Sequence, residues 1–180
     1  MRRNFCLFFC AIFIISIFSS CSLPEPDIAL RLKNRKQAID SIIAKGECPS
    51  HFVAVLTESQ EINCYYQLFH DDSNGLARAS ETYTRNNKTS DTTFVYYFDE
   101  HENTIAFQVK IAANNDSIFN SVTAFYNRDM DVIRKEYATI DNCDIPVNGT
   151  DSLSIDLTAY KIPPNVSTFA QRKKIILQND

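Results

Sequence analysis

Carboxylate side chains that could bind a metal are concentrated in three short polar segments of the sequence. Carboxylate oxygens are the ligands that Ca²⁺ prefers, and about six to eight oxygens complete its coordination. The acidic residues of these segments are therefore the weak candidates for a metal site: Asp71, Asp72, Asp99, Glu100, Glu102, Asp129 and Asp131. The D-x-D-x-D-G spacing of a dedicated calcium loop is absent from them, and solvated turns account for the same residues. We therefore predict no metal and no cofactor.

Residues that could act as nucleophile or general base show no catalytic spacing. None of the three histidines, His51, His70 and His101, stands in a diagnostic relation to a cysteine. The three glycines lie far apart, which excludes a P-loop, a dinucleotide fingerprint and a G-x-S-x-G elbow. The sequence therefore favours a protein that is not an enzyme. Catalytic groups that meet only in three dimensions leave an enzyme of unknown class as one alternative.

The charge balance argues against a nucleic-acid partner. The 180 residues include 18 Lys and Arg against 22 Asp and Glu, a formal net charge of −4. Proteins that bind phosphate backbones need a basic excess, which this chain lacks. Apolar residues make up 44% of the sequence and aromatic residues 12%, which is enough for one packed core. We therefore expect one folded domain.

The first 22 residues, MRRNFCLFFCAIFIISIFSSCS, have the order of an export signal. Two arginines precede Phe5–Phe18, an uncharged apolar run of 14 residues. A helix that spans a membrane needs about 20 apolar residues, so this run has the length of a signal-peptide core. The segment ends in the sequence Ser19-Ser20-Cys21.

This ending resembles the lipobox of bacterial lipoproteins. The resemblance implies that residues 1–20 are a signal peptide and that Cys21 receives a diacylglyceryl group on its thiol and an acyl chain, such as palmitate, on its amine. Such acylation attaches a protein stably to a membrane. Ser22 implies the outer membrane, on the periplasmic side or at the cell surface, because that family's sorting rule depends on the residue after the cysteine. The alternative is an ordinary secretory signal with a chance cysteine at its end.

Four Asp-Ser or Asp-Thr pairs also favour the cell envelope. Each is followed by an aliphatic residue or Thr, which resembles the acceptor pattern of a general O-glycosylation system of some Gram-negative bacteria. The acceptors that this resemblance implies are Ser41, Thr92, Ser117 and Ser152. The alternative is structural, because Asp-Ser and Asp-Thr also begin turns and cap helices.

Three cysteines remain beyond the signal and Cys21. They are Cys48, Cys64 and Cys143. An odd number of cysteines outside the cytoplasm predicts one disulfide and one free or buried thiol. The sequence leaves all three pairings open.

Residues 27–45 carry apolar side chains near helical spacing, which predicts a helix capped by Asp27 and ended by Gly46. Its opposite face is basic, which predicts a solvated surface or, as the alternative, contact with lipid headgroups. The basic residues of this face are Arg31, Lys33, Arg35, Lys36 and Lys45.

After Gly46 the apolar period changes to two, which predicts β-strands. A unit of strand, polar turn and strand recurs three times: Tyr65–Phe69 into Leu76–Tyr83, Phe94–Phe98 into Ile105–Ile111, and Val122–Tyr126 into Ile133–Ile140. Three hairpins in succession predict an antiparallel meander whose three acidic turns share one edge. Further strands are predicted at Phe52–Thr57, Leu153–Tyr160 and Ala170–Leu177.

The predicted fold is therefore α+β, with one N-terminal helix and a mainly antiparallel meander of about nine strands. The tether covers residues 21–26, and a single, mostly β domain covers residues 27–180. So many strands favour a curved half-barrel or a sandwich. Tyrosines on the sheet face away from the core would form a binding surface unless a second layer covers them.

The order of tether, helix and meander resembles the layout of open-barrel lipoprotein-carrier proteins of the bacterial envelope, which hold acyl chains on a concave apolar face. Our leading prediction is a non-catalytic cell-envelope lipoprotein that binds an unidentified protein partner or supports an envelope assembly. The alternatives are an immunity lipoprotein that neutralises a toxin, a carrier of an apolar ligand or lipid, and the enzyme of unknown class.

Overall fold

The computed structural model describes residues 27–56, 62–72, 75–85, 88–113, 118–141, 144–147 and 155–175. Cys21, Cys143, the predicted signal peptide and the predicted tether lie outside these residues. The elements in chain order are helix α1 (Ile28–Ala44), strands β1 (Ser50–Leu56), β2 (Ile62–His70), β3 (Leu76–Arg85), β4 (Lys88–Phe98), β5 (Thr104–Ala112), β6 (Ile118–Tyr126) and β7 (Val132–Asp141), and helix α2 (Val166–Lys173). No helix in this part of the chain is long and apolar enough to cross a membrane.

The strands form one antiparallel sheet in the order β1 to β7, each pairing with its neighbours in the sequence. This confirms the predicted meander of hairpins. The β2–β3, β4–β5 and β6–β7 turns emerge at the same edge, because every second turn of a meander does. We call this the tip edge. The sheet is open, and the described residues contain seven strands where the sequence predicted about nine.

The first missing strand is the one predicted at Leu153–Tyr160. Residues 155–160 of that range form no strand, although Ile155 and Leu157 are buried at alternate positions as the prediction required. Their side chains belong to the same buried cluster as side chains of the sheet, so the alternation reflects a segment that covers the sheet without pairing in it. Alternating burial alone therefore did not distinguish an extended covering segment from a strand that pairs within the sheet.

The second missing strand is the one predicted at Ala170–Leu177, where residues 170–173 belong to helix α2 and residues 176–177 lie outside the described residues. The Asn165 side chain caps this helix by accepting a hydrogen bond of 2.8 Å from the Thr168 N–H. The helix ends at Lys174, which has a left-handed backbone with φ +56°. Helical spacing brings Val166 and Phe169 onto the same buried face. The cap follows the two prolines directly, and the sequence prediction overlooked it.

Helix α1 has the predicted ends. The Asp27 side chain accepts from the Leu30 N–H at 3.2 Å, and Gly46 follows the helix with φ +71°, a conformation that glycine adopts without steric cost. The helix packs on β5 and β6 and covers one face of the sheet, which we call the α1 face. The apolar core between them comprises Ile39, Ala77, Val95, Tyr97, Ile105, Ala106 and Phe125.

Residues 155–175, here called the C-terminal strap, cover the opposite face, the strap face. Phe169 is the centre of this layer, and its ring lies 5.0 Å from the Tyr96 ring and 5.7 Å from the Phe98 ring. The strap is tied to β5 where the Thr104 hydroxyl donates to the Pro163 carbonyl at 2.6 Å. Both faces of the sheet are therefore covered by other parts of the chain. Such a second layer was the predicted alternative to a tyrosine-rich binding surface.

Candidate functional site

The acidic residues of the tip edge build the turns themselves. In the β4–β5 turn the Asp99 carboxylate accepts from the backbone N–H groups of His101 and Asn103, at 3.0 and 2.8 Å. In the β6–β7 turn the Asn127 side chain accepts in the same way from Asp129 and Asp131. A side-chain oxygen that accepts from the next backbone N–H groups replaces part of the hydrogen bonding that a turn lacks. The first acid or amide of each turn is therefore structural.

A similar hydrogen-bonding pattern begins at Asp141 after β7, and the sequence prediction did not identify it. The Asp141 carboxylate accepts from the Ile145 N–H at 2.9 Å, and the Asp144 N–H donates to the Asp141 carbonyl at 3.1 Å. The fourth residue has a positive φ in each loop: Glu102 at 63°, Met130 at 65° and Asp144 at 63°. The available signal was an Asp or Asn at the first position of each turn.

The candidate metal ligands do not form a metal site in the part of the chain that is described, where no group of three or more His, Cys, Asp or Glu side chains is placed to hold an ion. Asp99 is engaged in its own turn. Asp71 accepts from the Gly75 N–H at 3.1 Å and lies 3.9 Å from Arg35. The remaining candidates are exposed to solvent: Asp72, Glu100, Glu102, Asp129 and Asp131.

A groove of about 700 Å³ lies between the start of α1 and the β4–β5 and β6–β7 turns. Apolar side chains, among them Leu32 and Tyr126, form part of its wall. Its rim carries cations and carboxylates in equal number: Arg31, Arg35, Arg128, Asp99, Glu100 and Asp129. The formal charges of these six side chains sum to zero.

The strap face contains a fully buried carboxylate, Glu81. One of its oxygens accepts from the hydroxyls of Tyr66 at 2.9 Å and Tyr83 at 2.6 Å and from the Lys173 ammonium at 2.7 Å. The other oxygen accepts from the Tyr96 hydroxyl at 2.8 Å. Burial and the Glu81 carboxylate raise the pKa of Tyr66 and of Tyr96. The hydroxyls therefore stay protonated as donors, and the cluster joins α2 to β2, β3 and β4 as a structural lock.

The α1 face contains a second polar network around Arg78. Its guanidinium lies 3.3 Å from Asp40 on α1 and 3.4 Å from Asp144. Lys36 pairs with Asp40 at 2.7 Å, and Lys110 pairs with Asp144. Burial lowers the pKa of Lys110, although the neighbouring carboxylate opposes that shift. The network holds the helix on the sheet, and its charges are paired with one another.

Some of the basic residues of α1 also contact the sheet. Lys33 pairs with Glu136 on β7 at 2.8 Å, and Lys36 lies over the Tyr97 ring at 4.7 Å. The basic face is therefore directed in part toward the sheet, while Arg31 and Lys45 are exposed. The prediction of a solvated basic face was wrong for Lys33 and Lys36, because sequence spacing alone did not show that Glu136 and the Tyr97 ring of the sheet lie within their reach.

Cys48 and Cys64 are free thiols, so of the three pairings that the sequence left open, the one between these two is not observed. Cys143 lies outside the described residues. Burial is the main cause that raises the pKa of both thiols, which makes them weak nucleophiles at neutral pH. His70 is buried with its ring 5.2 Å from His51, and its pKa is lowered, mainly by burial.

The predicted modification sites fall on different parts of the fold. Ser41 is exposed on α1, directly after the Asp40 of the Arg78 network. Thr92 is half-buried on β4. Ser117, Ser152 and the lipidation candidate Cys21 lie outside the described residues.

Among the large apolar side chains of the described residues, the most exposed is Phe52 on the edge strand β1, with 72% of its surface accessible. The backbone N–H of His70 donates to the Pro49 carbonyl at 3.0 Å. This bond shows which opposite residues of β1 and β2 are hydrogen-bonded pairs. Hydrogen-bonded pairs alternate along an antiparallel ladder, so Val53 bonds inward to β2. The N–H and C=O groups of Phe52 and Ala54 therefore point outward, away from the sheet.

The two edge strands differ in charge. Strand β1, with the sequence SHFVAVL, contains no Lys, Arg, Asp or Glu, whereas β7 carries Arg134, Lys135 and Glu136. Residues 144–147 also pair with the end of β7, through hydrogen bonds such as that from the Val147 N–H to the Thr139 carbonyl at 3.0 Å. Charged residues and covering segments are the usual protection of an edge strand. Strand β1 has neither among the described residues.

Comparison of the chain with protein-family models, with curated proteins and with solved structures found no match.

Proposed function

We propose that this chain is a lipid-anchored protein of the bacterial cell envelope that binds a protein partner through the outer edge of β1. The observation that carries the proposal is that edge strand: it is unprotected by charge, its outward backbone groups are unpaired within the described residues, and Phe52 is exposed beside it. Addition of a partner strand to such an edge is a recurring mode of recognition, with affinity supplied by main-chain hydrogen bonds.

The covered faces of the sheet support a protein partner over an acyl-chain carrier. A carrier needs an open apolar surface for its ligand, and on the strap face Leu157, Val166 and Phe169 of the strap cover that surface. The buried polar clusters also support a non-catalytic role, because Glu81 and Arg78 are engaged in holding the two helices on the sheet. The anchor itself is supported by the Ser19-Ser20-Cys21 ending of the signal segment.

Photo-crosslinking in cells tests the binding edge. A photoreactive phenylalanine analogue is placed at Phe52 or, as the matched control, at Tyr137, which is an aromatic residue of the other edge strand with 46% of its surface exposed. We expect a discrete protein adduct from position 52 and none from position 137. Absence of a protein adduct at position 52, or equal adducts at both positions, refutes the proposed binding edge.

Mass spectrometry of the protein extracted from membranes tests the anchor separately. We expect a chain that begins at Cys21 and carries diacylglyceryl and acyl masses, and we expect Cys21→Ser to abolish both the added mass and membrane retention. An unmodified sulfur at Cys21 in a membrane-extracted chain contradicts the anchor and leaves the edge test unaffected.

A further inference from the structure

We infer that the protein bound at β1 is a second copy of this chain, which joins two seven-stranded sheets into one continuous sheet. The inference rests on the proposed function because it uses the same edge. An antiparallel pairing of β1 with β1 of a second copy has two-fold symmetry, so that one surface meets itself. The edge must therefore be complementary to itself in charge, in shape and in backbone hydrogen bonding.

Charge complementarity favours β1 over β7 for pairing with itself. Strand β1 brings no charged side chain to a two-fold contact. Pairing of β7 with a second β7 would bring its charged residues into the contact, and residues 144–147 already pair with the end of that strand.

Side-chain size is also complementary if the two-fold axis passes beside Val53. Phe52 of one copy then lies opposite Ala54 of the other, and the two-fold axis repeats this contact, so each large side chain meets a small one. Ala54 is paired on its inner side with Tyr65, which is 40% exposed on the α1 face beyond the reach of the helix. The resulting apolar patch contains Phe52, Ala54 and Tyr65 from each copy.

Backbone groups match in the same register. The outward N–H and C=O groups belong to Ser50, Phe52 and Ala54, which are alternate residues of β1. A two-fold axis beside Val53 brings Phe52 opposite Ala54 of the other copy as a hydrogen-bonded pair, and each such pair exchanges two hydrogen bonds. Val53 then meets Val53 in a non-hydrogen-bonded pair, with Cα atoms about 4.5 Å apart.

The contact is small, so the dimer is expected to be weak in solution. One strand pairing lies below the area of about 1,200 Å² that is typical of stable complexes. Attachment of both copies to membranes would raise their effective concentration.

Disulfide trapping tests the register with the full-length chain in detergent. Val53→Cys should form a linked dimer under mild oxidation, since the expected Cα separation lies in the disulfide range of about 4.4–6.8 Å. His51→Cys is the matched control, because it lies two residues away on the same face and is more exposed, but stands about 13 Å from its own copy in this register. We expect at least about fivefold more dimer from Val53→Cys than from His51→Cys or the unaltered chain. Equal trapping by the two variants overturns the inference.

Proline variants test the edge by sedimentation of the same full-length chain over about 1 µM to 1 mM, the range of weak affinities. Ala54→Pro removes an outward N–H and should abolish the dimer, whereas Lys135→Pro removes an outward N–H from the opposite edge and should leave it intact. A chain that stays monomeric throughout, or a dimer that survives Ala54→Pro, overturns the inference. If Ala54→Pro does not fold, the comparison of Val53→Cys with His51→Cys decides.

The photo-crosslinking experiment separates the two proposals. A position-52 adduct that contains this chain supports the second copy. An adduct with a different protein overturns the second copy and keeps the proposed binding edge, and no adduct contradicts both.

Discussion

Replacement of Glu81 by Gln should loosen the strap from the sheet. The substitution keeps the volume of the side chain and removes its charge, so the donors from Tyr66, Tyr96 and Lys173 face a neutral amide. A hydrogen bond to a charged group contributes about 1 kcal/mol more to stability than a neutral one. The two fully buried tyrosine bonds therefore account for about 2 kcal/mol.

Lys173 adds less to this sum because its side chain is 22% exposed, and water screens its pairing with Glu81. We expect a total loss of about 2–3 kcal/mol in the free energy of unfolding, which corresponds to a fall in Tm of about 5–10 °C. Urea denaturation followed by circular dichroism measures the first quantity and thermal denaturation the second. Hydrogen exchange at Val166, whose N–H donates to the Glu102 carbonyl at 2.9 Å, should accelerate because this bond ties the strap to the sheet.

A double-mutant cycle identifies which contact of Glu81 accounts for the loss of stability. Lys173→Met keeps most of the side-chain stem and removes the ammonium, and its effect should overlap with that of Glu81→Gln by about 1 kcal/mol. Tyr83→Phe is the matched control for a donor that can reach water, and it should cost less than about 1 kcal/mol. A loss below about 0.5 kcal/mol for Glu81→Gln, or full additivity with Lys173→Met, would refute the assignment of this cluster as the lock.

Three further predictions concern other parts of the fold. Asn127→Ala should lower stability by about 1 kcal/mol because two turn N–H groups lose their acceptor, as measured by urea denaturation; an unchanged midpoint contradicts this role. His70 has a lowered pKa through burial, so the unfolded chain binds its proton more readily, and stability should fall as pH drops below about 6.5; His70→Gln should reduce that fall, and equal pH curves would exclude His70 as the cause. Iodoacetamide should label Cys64 at least about tenfold more slowly than Cys48, since Cys64 is buried, and mass spectrometry showing equal rates would contradict that burial.

The sequence predicted the features that depend on local patterns. The hairpin repeat followed from period-two apolar residues separated by Asp- and Asn-rich turns, and each turn has the expected side-chain acceptors. The ends of α1 followed from Asp27 and Gly46. These signals lie within a few residues of one another, so neighbouring residues are sufficient to identify them.

Features that depend on distant residues were not predictable in the same way. Glu81 contacts Lys173, which lies 92 residues away, and a lone Glu within a strand gives no sign of such a partner. The exposed edge of β1 follows from its terminal position in the strand order and not from its own sequence. Helix α2 could have been predicted from nearby residues, because the Asn165 cap is visible in the sequence. The apolar alternation after it was instead interpreted as a strand.

The position of the α1 start has a consequence for how the proposed anchored protein would stand on its membrane. The groove residues place this start beside the tip edge, and only residues 22–26 separate the domain from Cys21. Five residues reach at most about 18 Å, so the turns would sit near the lipid surface with the strands rising about 30 Å above it. A copy joined antiparallel at β1 has its own turns at the far end. Such a pair cannot stand upright with both anchors in one leaflet, and it would either lie flat on a single membrane or connect two apposed ones.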